Sequence, residues 1–171
     1  MVCVSSFVCN APWQTGLFTR ERAPEDLRLI AGPFCNVANA AALAVLARMG
    51  FAGAFASPEL PAADLLALPG QSCLPLGLVI SGHWPLGLAR HKLTGVKDNE
   101  AFASPRGEVF WARPYGQNVW IYSDRPLDLT GKRQELEAAG YSFFAHMPEK
   151  PPQTLPESTR SSLFTWDGDL L

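Results

Sequence analysis

What this sequence has little of narrows it first. It holds no run of about 18 apolar residues, so no helical membrane span is expected. Its 14 basic residues stand against 16 acidic ones, a formal net charge of -2, and no basic stripe offers a footprint for nucleic acid. Four cysteines, Cys3, Cys9, Cys35 and Cys73, show no CxxC spacing, which argues against a zinc site or a thioredoxin-like motif. They are expected to be free thiols packed as small hydrophobes, in a chain that works in a reducing, cytoplasmic setting. The opening MVCVSSFVCNAPWQ lacks the basic n-region and the cleavage site of a secretory signal, and is expected to join the fold. A GxSxG elbow, HExxH, GxxxxGK[ST] and a strand-borne GxGxxG are all missing, as is any long internal repeat.

What is present is a core-forming composition. Apolar residues make up 47% of the 171 positions and charged residues 18%, as in one globular domain. LRLIAGPF, residues 27–34, is a short apolar run ended by Gly32-Pro33 and predicts a buried strand. Asn36 or Asn39 can cap the helix that follows, because Ala40 to Met49 is almost all strong helix formers. Val37, Leu43, Leu46 and Met49 fall at helical spacing, and Gly50 is a natural stop. FAGAFASPEL supplies a second strand, PAADLLALPG a short second helix, and CLPLGLVISG a third strand. This βαβαβ succession implies a parallel sheet, and the fold class expected is α/β, a partial (β/α) TIM-barrel-like sheet.

Beyond His91 the pattern changes. HKLTGVKDNEAFASPRG has no apolar period and predicts a loop. Two strands, 108–113 and 118–123, follow as a hairpin with a turn at Pro114-Tyr115-Gly116. GKRQELEAAG predicts an amphipathic helix with Leu136 and Ala139 inward, and YSFFAHM one more strand returning to the parallel sheet. The expected organisation is an N-terminal lead-in over 1–26, a half-barrel domain over 27–147 and a Pro-rich tail over 148–171. The tail is expected to be extended, with Phe164 and Trp166 docking back.

Ligand sites in parallel α/β sheets lie past the carboxyl ends of the strands. The groups expected there are Asn36 and Asn39 after the first strand, Ser57 and Glu59 after the second, and Ser81 and His83 after the third. Glu59 and His83 are the candidate acid–base pair, since burial can move both toward neutral pKa. Each has a plainer reading: Asn36 and Asn39 as helix caps, Glu59 as a helix-dipole partner, and His83 as a packed core histidine. Cys35, between a strand end and a helix start, is a second nucleophile candidate with a thiol pKa lowered by the helix dipole. Arg90, with His91 and Lys92, can hold a carboxylate or phosphate, or simply be a solvated loop.

Residues 32–60, GPFCNVANAAALAVLARMGFAGAFASPEL, resemble the collagenase-like peptidases, peptidase family U-32. The family pattern Gly-Pro-x-x-Asn-x-x-Asn falls on Gly32, Pro33, Asn36 and Asn39. Its Ser-Pro-Glu-Leu falls on Ser57 to Leu60, and its Gly-x-x-Pro-Leu-x-x-x-Arg on Gly82, Pro85, Leu86 and Arg90. A hairpin start at Arg106-Gly107 and the stretch Ser123 to Leu129 continue the series, and the match spans roughly residues 27–146. The resemblance implies a hydrolytic peptidase domain; the strand-end reading adds Glu59 and His83 as its catalytic pair and Asn36, Asn39, Ser57 and Arg90 as the groups that bind substrate. A full barrel takes about 250 residues, so the chain corresponds to the carboxyl-terminal half of one. Two other readings follow. The chain is a non-catalytic subunit that completes a barrel with a partner or a second copy, or it is a relative of iron–sulfur hydroxylation factors. Relatives of the last kind carry cysteines after an Arg-x-Cys segment. Here His91 stands where the first would be, and ARHKLTGVKDNEAFASPRG has none, so no cofactor or metal is expected. The partners expected are a peptide or small-molecule substrate and no nucleic acid or membrane.

Overall fold

Five strands lie side by side along the path of the main sheet, the first four of them in chain order. The computed structural model describes residues 6–18, 26–91 and 94–156. Cys3, Lys92, Phe164 and Trp166 lie outside these residues, as does the docking expected of the last two.

The chain divides into two units. Among the described residues the first takes in 6–18, 26–80 and 131–145, the second 81–91, 94–130 and 146–156. The main sheet is a five-strand parallel path in the order β1-β2-β3-β4-β10, with a two-residue strand β9 paired antiparallel to β4. β1 is Ser6–Cys9, β2 Arg28–Ala31, β3 Gly53–Phe55, β4 Leu76–Gly82, β9 Leu127–Asp128 and β10 Tyr141–His146. β1, in the N-terminal stretch, runs parallel to β2 in the register Ser6 with Arg28 through Cys9 with Ala31. β2 and β3 pair at Ile30 with Gly53, and β3 and β4 at Ala54 with Leu76. The first four strands therefore lie side by side in chain order.

The helices form where expected. α1, Ala40–Arg48, starts at Asn39, whose side chain accepts from the Ala42 amide at 2.9 Å. That cap satisfies one of the first-turn donors and is worth about 1 kcal/mol. Leu43 and Leu46 are buried, but Met49 is exposed: the helix ends at Arg48 and Gly50, at φ 90°, turns the chain away. Val37 is buried too, through a parallel bridge to Ala56 that precedes the helix. α2, Ala62–Ala67, buries Leu65, and α3, Arg133–Ala139, buries Leu136 before Gly140 stops it at φ 116°. Tyr141, first in β10, donates its phenol to the Leu65 carbonyl at 2.9 Å and so ties β10 to α2.

The second sheet is antiparallel, in the order β5-β8-β7-β6. β5 is Pro85–Ala89, β6 Ala101–Ala103, β7 Val109–Tyr115 and β8 Asn118–Ser123. The hairpin expected from the sequence is its β7-β8 pair, and β5 and β6 flank it. Two corrections follow. The stretch after His91 is not all loop, because Ala101–Ala103 pairs with Val109–Trp111. The hairpin turn lies at Gly116-Gln117, since Pro114 still pairs with Val119 and Tyr115 with Asn118. Gly116 at φ 60° supplies the left-handed backbone that a two-residue hairpin turn requires. Trp111 and Tyr122 stack at 4.3 Å and 17° between planes, both fully buried, and centre this sheet's packing. The start of the Pro-rich tail is extended but anchored: Glu149 accepts from the Tyr115 phenol, and the Lys150 carbonyl accepts from Arg113.

Candidate functional site

In the first unit, β2 and β3 run side by side and deliver their polar residues past neighbouring carboxyl ends. After β2 the chain makes a 3-10 turn, Pro33–Cys35, and Asn36 follows in the left-handed region at φ 50°. Asparagine is among the few side chains that take this conformation at modest cost, which explains the residue type without invoking a ligand. Asn36 is exposed; Asn39 is exposed and engaged as the α1 cap. The cap reading holds for Asn39, while Asn36 does not cap α1 and takes the left-handed position after the 3-10 turn.

After β3, Ser57 is buried and its hydroxyl accepts from the Glu59 amide at 3.3 Å. Its own amide donates to the Val37 carbonyl at 2.8 Å. Ser57 therefore fixes the turn that presents Glu59, which is exposed. The expected serine contact with substrate becomes a positioning contact.

Cys35 does not have the setting expected of a nucleophile. α1 begins five residues later, at Ala40, and burial pushes the Cys35 thiol pKa up instead of lowering it. Its Sγ donates to the Cys9 carbonyl at 3.3 Å, and the Cys9 thiol is pushed up by burial as well.

In the second unit, His83 is buried, with Nδ1 3.2 Å from the Ser123 carbonyl and its ring edge-on to Trp111 at 5.4 Å. Trp111 Nε1 donates to the same carbonyl at 3.0 Å. A carbonyl partner requires the proton on Nδ1, so Nε2 is the nitrogen with a lone pair. Burial lowers the pKa of His83, partly offset by the Ser123 carbonyl and by Asp124, and holds the ring neutral. Glu59 belongs to the first unit and His83 to the second. Arg90, just past β5, is exposed, as is His91.

The sequence reading passed over one residue. β10 lies beside β4, and His146 at its end places Nδ1 2.5 Å from the Ser81 hydroxyl at the end of β4. Ser81 stood among the strand-end candidates; His146 did not. Its only sequence signal was a polar residue closing an apolar strand that returns to the parallel sheet.

An open pocket of about 300 Å³ in the second unit is lined by Asp124, Arg125, Pro126, Leu155 and Pro156, none of them a sequence-derived candidate. Among the described residues no cluster of three histidine, cysteine or acidic side chains is arranged to hold a metal, and no helix is long and apolar enough to cross a membrane. No family model, curated protein or solved structure matches the chain.

Proposed function

We propose that the chain is a hydrolase of peptide bonds, related to the collagenase-like peptidases and built on part of a (β/α) barrel. One observation carries this reading: the polar residues of its two most specific motifs, Asn36 and Glu59, stand past the carboxyl ends of adjacent parallel strands. Sheets of this kind bind ligands there. The side-by-side, chain-ordered placement of β1 to β4 further supports a barrel-derived sheet, since doubly wound sheets reverse direction partway.

In this reading Glu59 exchanges protons with the scissile group, and Ser57 sets its main chain. Asn36, in the same unit, hydrogen-bonds the peptide main chain. Asn39 acts through the start of α1. The test is hydrolysis of gelatin and short peptides by the purified chain. Glu59→Gln is expected to lower turnover by about 100-fold or more, the usual yield of a general acid or base. Undiminished hydrolysis by Glu59→Ala overturns the assignment.

A second reading has its own observation. β1 ends the strand path, and the segment around it exposes Val8 at 55%, Trp13 at 70% and Leu17 at 62%. Apolar exposure beside a terminal strand suits a chain that completes its sheet with a partner. Light scattering after size exclusion tests it: a monomer that binds no apolar dye rejects this reading.

A further inference from the structure

Ser81 and His146 close two neighbouring parallel strands, at the sheet edge where α/β proteins hold their ligands. Their hydroxyl and Nδ1 are 2.5 Å apart, a hydrogen bond between a nucleophile and a base. Ser81 is half-buried and His146 exposed, so the hydroxyl is fixed while the imidazole faces solvent. The main chain holds the pair in register, because the Met147 amide donates to the Ser81 carbonyl at 2.8 Å. Gly82 comes next at φ 103°, and a Cβ there would collide with the Met147 main chain. The absence of a side chain at Gly82 lets the Met147 main chain lie close beside it. On the other side of β4, Asp128 of β9 is the register partner of Ser81, and directly opposed residues of an antiparallel pair share one face. Its carboxylate accepts from the Thr130 amide at 3.0 Å and the Thr130 hydroxyl at 2.6 Å.

We propose that Ser81 and His146 form a nucleophile–base pair for acyl transfer from carboxylic esters and amides. Ser81 Oγ bonds to the carbonyl carbon while its proton passes to His146 Nδ1. The bond from that carbon to the leaving oxygen or nitrogen breaks, and His146 returns the proton to the leaving group. Water then attacks the acyl-serine, again losing a proton to His146, and the carboxylic acid leaves as Ser81 regains its hydrogen. No metal or redox partner enters the balance. The pair uses neither Glu59 nor His83, and it is tested apart from peptide hydrolysis.

The probe is a fluorophosphonate, which phosphonylates an activated serine with loss of fluoride, its position mapped by peptide mass spectrometry on the full chain. The expected result is one adduct on Ser81. His146→Gln is expected to slow labelling by about 100-fold or more, and p-nitrophenyl acetate should give a burst of one equivalent per chain in the unmodified protein. An unlabelled Ser81, a different labelled residue, or an unchanged rate in His146→Gln overturns the proposal.

Discussion

The ring of Phe143 fills the space beside Gly77 where any other residue would carry its Cβ. Phe143 sits in β10 and Gly77 in the neighbouring β4, and the same ring packs edge-on to Phe55 of β3 at 5.0 Å. One aromatic thus spans three adjacent strands, and it can do so only because the middle one has no side chain at that point. Gly77→Ala is expected to cost about 1–3 kcal/mol, as overpacking of a close-packed interior does. Adding Phe143→Leu should recover part of that cost, and urea unfolding of the two single variants and the double variant measures the coupling. Purely additive effects would show that the two positions do not compete for space.

Two buried phenols are expected to make stability fall at alkaline pH. Burial raises the pKa of both Tyr122 and Tyr141, with Glu149 contributing at Tyr122. Their folded values lie above the unfolded value of about 10, so the stabilisation is complete below that pH and is lost as pH rises beyond it. Each phenol that ionises only on unfolding lowers stability by about 1.4 kcal/mol per pH unit. Denaturation midpoints at pH 9 and 11, with phenolate absorbance followed through the transition, check this. Ionisation of both phenols in the folded chain at pH 11 would contradict it.

On the acid side, buried His83 is expected to contribute. Burial lowers its pKa, so the unfolded chain takes up a proton near pH 6.5 while the folded chain does not. Stability is then full above about pH 6.5 and falls as pH drops through the folded pKa. His83→Gln is expected to flatten the change in unfolding free energy between pH 7 and pH 5. An equally steep decline in that variant would assign the acid sensitivity to other groups.

The start of α1 offers a separation of structural and functional roles. Asn39→Ala should cost about 1 kcal/mol through loss of the cap, while Asn39→Ser should restore most of it. If Asn39 acts only through α1, peptide hydrolysis by Asn39→Ser matches that of the unmodified chain. A serine variant that is stable but inactive would give the amide a direct part in binding.

How far the sequence carried depended on the range of the contacts involved. The βαβαβ segment was legible because its elements are announced locally: LRLIA and LPLGLVI by predominantly apolar runs, α1 by its cap, alanines and Gly50. β1, β5 and β6 were not announced. SFVC is four residues with three exposed, PLGLA contains proline and glycine, and AFA is three residues within a polar stretch. Their strand character comes from pairing with neighbours rather than from propensity. The strand-end candidates Asn36, Asn39, Ser57 and Glu59 followed from the parallel arrangement, but their division of labour did not. Whether a side chain caps, props or points outward depends on backbone angles such as φ 50° at Asn36. His146 stayed hidden because its serine partner is 65 residues away, and only the sheet order brings the two together.

That sheet order also sets a timetable. During synthesis β1 to β4 emerge in the order in which they pair, so the growing sheet can add each strand as it leaves the ribosome. β4 then waits. Its remaining neighbours, β9 and β10, are made only after the strands of the antiparallel sheet, and β10 only after α3 as well. Through that interval the apolar flank of Leu76 to Ile80 stands without its final cover, and the newborn chain passes through a stage in which an unfinished edge invites chaperone binding or self-association.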